Sequence, residues 1–157
     1  MEKTNVMRIL DQKKIPYEAF TYPHEEGVCV EGAMVAKILN QNPKQVFKTL
    51  VVIGASKRFY VFVIPVDKEL DLKKSAKAVN EKSVELILVK DLLHITGYIH
   101  GGCSPIGMKK SFKTIVNQSA LDFDYIFFSA GKIGYQIKMC PINLKDLLQV
   151  EFKEVTR

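Results

Sequence analysis

The length and composition of the chain are those of a globular protein that can bury a sizeable core. It has 157 residues, 47% hydrophobic and 25% charged, and we expect one domain spanning residues 1–157. No apolar run approaches the roughly 18 residues that a membrane-spanning helix needs, so we expect no membrane partner. The formal net charge of +6 at pH 7 favours a polyanion such as RNA, although many lysine-rich proteins bind no nucleic acid.

The amino terminus and the cysteines indicate a cytoplasmic protein. Residues 1–14 are charged and amphipathic, with neither the apolar region nor the cleavage signature of a secretory leader. Cys29, Cys103 and Cys140 are an odd and scattered set, which is typical of reduced thiols rather than of a disulfide framework.

The first forty residues predict two helices with a short strand between them. Residues 4–14 carry apolar side chains at i, i+3 and i+4, which predicts a helix with Thr4 as its N-cap. This helix should stop before Pro16, and residues 17–22 are typical of a strand. A second helix is predicted over residues 30–40. Its inward face is assigned to four apolar side chains, Met34, Val35, Ile38 and Leu39.

The middle of the chain predicts a hairpin and then a helix. Two strongly apolar strands, 46–53 and 58–64, flank a turn at residues 54–57. Residues 71–79 predict a helix with apolar residues facing inward, Leu72, Ala76 and Val79, and a basic outer face, Lys73, Lys74 and Lys77. A strand and a short helix follow over residues 84–88 and 90–95.

The last third predicts further strands and one helix. Strands are expected near residues 112–116 and over residues 124–129, 135–140 and 150–153, the last at a sheet edge. A helix capped by Asn143 should precede the final strand, with Leu144, Leu147 and Leu148 on one face. Because short helices interrupt the strands irregularly, the order favours a mixed sheet or barrel over a doubly wound parallel fold.

A glycine-rich loop, Gly101-Gly102-Cys103-Ser104-Pro105-Ile106-Gly107, is the most distinctive stretch of the chain. Glycine accepts positive φ and allows close approach to the backbone, so such a loop can present N–H groups to an ester carbonyl, a phosphate or a ribose. By composition alone, an ordinary turn between two strands is the commoner explanation.

Lys48 interrupts an otherwise apolar strand. A lysine between Phe47 and Leu50 must either reach solvent from a sheet edge or serve as a cation at the mouth of a pocket. The residues alone leave both interpretations open.

Several kinds of chemistry have little support in the sequence. His24 and Cys29, like His100 and Cys103, lack a second pair at metal-ligand spacing, so no zinc site is expected. Neither a phosphate-binding P-loop nor a G-x-S-x-G nucleophile motif is present. Cys103 could be a nucleophile, but no histidine or aspartate partner can be assigned to it, and a small packed thiol is the commoner case.

Several motifs in this order resemble the YbaK/EbsC-type aminoacyl-tRNA deacylases, which are related to the editing domain of bacterial prolyl-tRNA synthetases. The matching stretches are Thr21-Tyr22-Pro23-His24, Val46-Phe47-Lys48-Thr49-Leu50, Leu70-Asp71-Leu72-Lys73-Lys74, Thr96-Gly97-Tyr98, the glycine-rich loop with Lys109-Lys110, and Ser129-Ala130-Gly131-Lys132-Ile133-Gly134. The resemblance extends over nearly the whole chain.

The resemblance implies a mixed α/β fold, in which helices flank a mainly antiparallel, barrel-like sheet. It implies an enzyme that removes cysteine from mischarged tRNA(Pro), and from Cys-tRNA(Cys) as a further substrate, without a metal or cofactor. Lys48 would hold the phosphate or ribose of the terminal adenosine, and Gly101 would hold the ester carbonyl through its N–H. The implied substrate-binding residues are Tyr22, Thr49, Gly102, Ser104, Pro105, Gly107, Ser129 and Gly131. The implied tRNA-binding residues are Lys73, Lys74, Lys109, Lys110 and Lys113, and no DNA partner is expected.

No protein nucleophile is implied, because the attacking group in such enzymes is the substrate's own thiol or a water assisted by the ribose 2′-OH. Two positions depart from the family pattern. Cys103 stands where an aliphatic residue is expected, and Gln136 stands where relatives often carry an acid. If that acid recognises the substrate amine, the preference for cysteine is open.

The sequence leaves three hypotheses. The chain is a deacylase for cysteine or for another amino acid such as alanine, or it binds a tRNA acceptor end or a nucleotide without chemistry. A third role is docking onto prolyl-tRNA synthetase, because a basic surface alone gives little discrimination among tRNAs.

Overall fold

The computed structural model describes all 157 residues, which form five α-helices, eight strands and one turn of 3-10 helix. The helices are α1 (Asn5–Gln12), α2 (Gly32–Ile38), α3 (Leu72–Ala78), α4 (Val89–Thr96) and α5 (Ile142–Leu148). The strands are β1 (Glu18–Thr21), β2 (Phe47–Gly54), β3 (Phe59–Pro65), β4 (Val84–Leu86), β5 (Lys113–Asn117), β6 (Ile126–Ser129), β7 (Tyr135–Met139) and β8 (Glu151–Lys153). None of the helices is long and apolar enough to span a membrane.

The strands form two sheets that are joined at one point. The three-stranded sheet, β1-β7-β6, is antiparallel. In the five-stranded sheet, β4-β2-β3-β5-β8, β2 pairs antiparallel with β3 and β4, whereas β5 pairs parallel with β3 and β8. A parallel bridge between Val46 and Phe127 connects the sheets. The expected mixed and mainly antiparallel architecture is confirmed, as two joined sheets without a closed barrel.

The larger sheet is buried on both faces. On β3, Val61 and Val63 belong to the apolar cluster shared with the smaller sheet, while Phe62 and Ile64 belong to the cluster that contains residues of α3. A strand covered on both faces needs apolar side chains at consecutive positions. This explains why β3 is an unbroken apolar run rather than an alternating one.

The helix ends follow local capping chemistry, with one exception to the prediction. Thr4 Oγ1 accepts a hydrogen bond from Met7 N–H at 3.3 Å, so its predicted role as the N-cap of α1 is confirmed. The predicted cap at Asn143 is wrong, because α5 begins directly after Pro141. Proline supplies a φ of −62° that suits the start of a helix, and its carbonyl accepts from Leu144 N–H at 3.1 Å.

Two predicted helix faces are also wrong in part. Met34 and Ile38 of α2 are 50% and 44% exposed, because Val35 and Ala36 are the residues that face inward. Ala36 packs with Val46 and Phe127 in a small cluster at the junction of the two sheets. On α3, Leu72 is 42% exposed, because small residues further along the helix, Ser75, Ala76 and Ala78, form its buried face.

Candidate functional site

A cavity of about 430 Å³ opens along one edge of β2. β3 pairs with the other edge of β2 over almost its full length. On the cavity side, β4 pairs only with residues 52–54, and the bridge to β6 lies at Val46. Residues 47–50 therefore have no strand partner on this edge, and the space beside them is open.

The structure brings five of the expected site residues together around this cavity: Tyr22, Lys48, Thr49, Gly101 and Ser129. They come from β2, β6, the end of β1 and the glycine-rich loop, which are distant in sequence. The other expected substrate-binding residues lie outside the cavity lining: Gly102, Ser104, Pro105, Gly107 and Gly131.

Lys48 and Thr49 present polar groups that the protein itself leaves unpaired. Lys48 is half-buried and forms no salt bridge. Thr49 Oγ1 is the one buried side-chain oxygen or nitrogen without a hydrogen-bond partner. Because an unpaired buried hydroxyl costs about 1–3 kcal/mol, a ligand that donates or accepts a hydrogen bond there would relieve that cost.

Gly101 can only be glycine. Its φ is +89°, and a Cβ at this position would lie 2.8 Å from Cys29 Sγ and 3.0 Å from Cys29 Cα. Its N–H makes no hydrogen bond within the protein, whereas the N–H of Gly102 donates to Ile99 O at 3.0 Å. Of these two amides, only that of Gly101 is free to bind a ligand.

Residues 102–106 of the glycine-rich loop are buried, although Cys103 also lines the cavity. Ser104 is buried, and its Oγ accepts from Ile106 N–H at 3.3 Å. Tyr98 OH donates to Ile106 O at 2.5 Å and would lie 2.7 Å from a Cβ at Gly107. A Cβ at Gly102 would lie 3.1 Å from Ile133 N. These interactions hold the shape of the loop while Gly101 faces the cavity.

Cys103 has the properties of a packed thiol. It is 8% exposed, and burial raises the pKa of its thiol to about 12. The thiol therefore stays protonated near neutral pH, where only a thiolate would be an effective nucleophile. The interpretation of Cys103 as a small packed side chain is the one that its surroundings favour.

Tyr22 and Ser129 line the cavity from the smaller sheet. Tyr22 is buried, its N–H donates to Gly134 O at 2.9 Å, and burial is the main cause that raises the pKa of its phenol. Ser129 Oγ accepts from the N–H of Gly131 at 3.1 Å, and Gly131 itself does not line the cavity. Both hydroxyls remain neutral near pH 7.

Gln136 is held by a partner that the sequence did not reveal. Gln41 Nε2 donates to Gln136 Oε1 at 2.8 Å, and Gln136 Nε2 donates to Gln41 Oε1 at 2.9 Å. Gln136 is 2% exposed and lines the cavity. This reciprocal amide pair provides hydrogen-bond partners for both polar groups of the Gln136 side chain without a charge. Gln136 is therefore a well-packed part of the cavity wall although it is not an acid.

Cys29, Glu31 and His100 also line the cavity and were not among the expected site residues. Cys29 and Glu31 lie between β1 and α2, beyond the Thr21-Tyr22-Pro23-His24 stretch and outside any of the matching motifs. His100 directly precedes the glycine-rich loop, and this position is the one sequence feature that could have predicted its place in the site.

None of the five expected tRNA-binding lysines lines this cavity. Lys109 and Lys110 line a second cavity of about 640 Å³ beside β4 and α4. Lys74 Nζ donates to Thr156 O at 2.8 Å, and Lys113 forms a salt bridge with Glu151 at 3.6 Å. No group of three or more histidine, cysteine or acidic side chains is arranged to hold a metal ion.

Comparison with known proteins identifies the family. Residues 29–147 match the aminoacyl-tRNA editing domain, and the chain belongs to this family. The Enterococcus faecalis (strain ATCC 700802 / V583) protein named "Putative Cys-tRNA(Pro)/Cys-tRNA(Cys) deacylase EbsC" is 44% identical over 155 residues, covering 99% of this chain and 94% of that protein. The resemblance inferred from the motifs is therefore confirmed.

Two solved structures share the fold. One is "a putative trans-editing enzyme for prolyl tRNA synthetase", with a TM-score of 0.82, 16% identity, and coverage of 100% of this chain and 99% of that chain. The other is "hypothetical protein APE2540", with a TM-score of 0.87, 19% identity, and coverage of 98% and 100%. At these identities the likeness supports the fold alone.

Proposed function

We propose that this protein is a trans-editing aminoacyl-tRNA deacylase that releases cysteine from mischarged tRNA(Pro), with Cys-tRNA(Cys) as a second substrate. The observation that carries the proposal is that three residues with unpaired polar groups line one cavity: Lys48 with its amine, Thr49 with its hydroxyl and Gly101 with its N–H. These are the groups that an aminoacyl ester on a terminal adenosine needs: a cation for phosphate or ribose, and donors for oxygen atoms.

In the proposed mechanism the protein positions the ester and supplies no nucleophile. Lys48 binds the phosphate or ribose of the terminal nucleotide, while Tyr22, Thr49 and Ser129 contact the bound aminoacyl adenosine. The Gly101 N–H donates to the carbonyl oxygen, where negative charge develops during attack. An aminoacyl ester is already activated, so a fixed orientation can supply much of the rate.

The attacking group is the substrate thiol or a water molecule. In the first route, the cysteine sulfur loses its proton and bonds to the carbonyl carbon, and the bond from that carbon to the ribose oxygen breaks. The product is a cyclic thiolactone, and the ribose oxygen takes up a proton. In the second route, water attacks with help from the ribose 2′-OH and free cysteine is released. Cys103 takes part in neither route because its thiol is protonated and buried.

The test is the single-turnover release of amino acid from Cys-tRNA(Pro), Ala-tRNA(Pro) and Pro-tRNA(Pro). Lys48→Ala is compared with Lys82→Ala, which removes an exposed lysine that does not line the cavity. We expect fast loss of cysteine alone, slowed at least about a hundredfold by Lys48→Ala and unchanged by Lys82→Ala. An unchanged rate in Lys48→Ala would remove the role given to Lys48.

The substrate series also separates the alternatives. Loss of alanine instead of cysteine would assign the protein to the alanine-removing branch. The Gln41–Gln136 pair would then be the first structural feature to test as the cause of this specificity. Salt-sensitive RNA binding without release of any amino acid would leave a binding module.

The proposal includes the setting in which the enzyme acts. It treats residues 1–157 as one editing unit in the cytoplasm, with the acceptor end of aminoacyl-tRNA as substrate. We further propose that it docks onto prolyl-tRNA synthetase, which would supply the tRNA discrimination that a basic surface lacks. Retention of the synthetase in a pull-down after nuclease treatment would support docking, and loss of the complex would contradict it.

A further inference from the structure

Glu31 is the one carboxylate among the residues that line the cavity. Lys48 lies in the same lining, so the cavity brings together one lysine and one carboxylate side chain. The proposed function above assigns Lys48 to the nucleotide end of the substrate. It assigns nothing to Glu31, although an aminoacyl ester carries a positive charge on its α-amino group.

The carboxylate of Glu31 has no partner within the protein. The residue directly precedes α2, yet its side chain makes no capping hydrogen bond with that helix. It forms no salt bridge with any lysine or arginine, and the residue is exposed. With neither a capping hydrogen bond nor an ion pair, the Glu31 carboxylate is available to a ligand.

Glu31 lies beside the place where the ester carbonyl is expected to bind. Cys29 connects the two, since its Sγ would lie 2.8 Å from a Cβ at Gly101. The negative charge of Glu31 also acts on Cys29, where it adds to the effect of burial in raising the pKa of the thiol. Cys29, two residues before Glu31, therefore packs against the loop backbone, and Cys29, Glu31 and Gly101 all line the same cavity.

The chemistry of an aminoacyl ester places its ammonium group at this wall. The α-carbon joins the ammonium nitrogen to the carbonyl carbon, so a carbonyl held by the Gly101 N–H fixes the ammonium within a few ångströms of it. A cation leaving water needs an acceptor, and a carboxylate is the strongest one available. The Gln136 amide is already paired with Gln41.

We propose that Glu31 binds the α-ammonium group of the substrate and makes the site selective for esters whose amino group is free. This inference rests on the proposed deacylase function and names a binding contact for it. It gives the enzyme a reason to reject formylated or peptidyl esters, in which the nitrogen is acylated and uncharged. Glu31 would thereby bind the substrate ammonium group in place of an acid at position 136.

The test compares two probes, Cys-tRNA(Pro) and N-acetyl-Cys-tRNA(Pro), each corrected for uncatalysed hydrolysis. The enzymes are the wild type, Glu31→Gln, Glu31→Asp and the control Glu25→Gln, which neutralises an exposed carboxylate outside the cavity lining. Thermal denaturation of each variant confirms that it is folded.

We expect the wild type to prefer the free amine by about tenfold or more in kcat/KM. Glu31→Gln should lose most of this preference by slowing on the free ester alone, Glu31→Asp should regain part of it, and Glu25→Gln should match the wild type. An active wild type that treats both esters alike, or a Glu31→Gln enzyme that slows equally on both, would overturn the role of Glu31 and leave the proposed function intact. A wild type that releases cysteine from neither ester would overturn both.

Discussion

Replacing Gly101 with alanine should damage both the stability and the activity of the protein. At φ +89° an alanine is strained by about 1 kcal/mol. The added Cβ also meets Cys29 Sγ at 2.8 Å and Cys29 Cα at 3.0 Å, and moving this backbone costs about a further 1–2 kcal/mol. The free energy of unfolding should therefore fall by about 2–3 kcal/mol, which lowers Tm by roughly 5–10 °C for a chain of this size.

The same displacement should move the Gly101 N–H away from the ester carbonyl. Loss of one such donor slows acyl transfer by about a hundredfold or more, so single-turnover release of cysteine should fall to that extent. Urea unfolding and the release assay on the same preparation measure the two effects.

Gly27 provides the matched control, because its φ is +73° and a Cβ there would meet nothing within 4 Å. Gly27→Ala should show the conformational strain alone, about 1 kcal/mol, with full activity. Adding Cys29→Ala to Gly101→Ala should recover only part of the loss, because it removes the clash with the sulfur and leaves the clash with the backbone of residue 29. A Gly101→Ala protein that unfolds like Gly27→Ala and still releases cysteine at the wild-type rate would contradict both effects expected at Gly101.

Two further predictions concern single buried groups near the site. Thr49→Val should leave the free energy of unfolding unchanged or raise it by up to about 1 kcal/mol, because it removes an unpaired buried oxygen, while cysteine release slows about tenfold; unaltered release would show that the hydroxyl is not used. Above pH 9 the unfolded Cys103 thiol ionises, while the folded thiol, with its pKa near 12, does not, so stability falls as pH rises. Urea unfolding from pH 8 to 10.5 should therefore show a steeper decline for the wild type than for Cys103→Ala, by up to about 1.4 kcal/mol per pH unit, and parallel curves would contradict this.

Local chemistry made much of the fold predictable. The apolar runs of β2 and β3 and the turn between them lie where the sequence places them, since Lys57 takes φ +73° and Gly54 N–H donates to Arg58 O at 2.8 Å. The buried faces of α2 and α3 were harder to predict. These helices have seven residues each, and small side chains such as Ala36 and Ala78 let them pack closely against the sheets. A prediction from hydrophobicity favours large apolar side chains as the buried face and therefore misses such small residues.

The candidate site was predictable only where a motif marks it. Lys48, Thr49 and Gly101 stand in recognisable stretches, and the structure brings them to one cavity. Gln41 and Gln136 are 95 residues apart, and a pairing of two neutral amides leaves no periodicity in either segment. Glu31 carries no local signal either, because its proposed role depends on Cys29 folding against a loop about seventy residues later in the chain.

Several departures from the usual rules of stable folding meet at this one cavity. On its cavity edge, β2 lacks a partner strand over residues 47–50. Thr49 Oγ1 is buried without a hydrogen bond, and the charges of Lys48 and Glu31 are left unpaired. Each feature alone lowers the free energy of unfolding slightly. A sequence selected only for stability would remove it, for example by extending β4 or by pairing the charges. Departures that cluster in one place are expected where a ligand completes the structure. A substrate with an anionic phosphate, a carbonyl oxygen and an ammonium group supplies a partner for each kind of unpaired group.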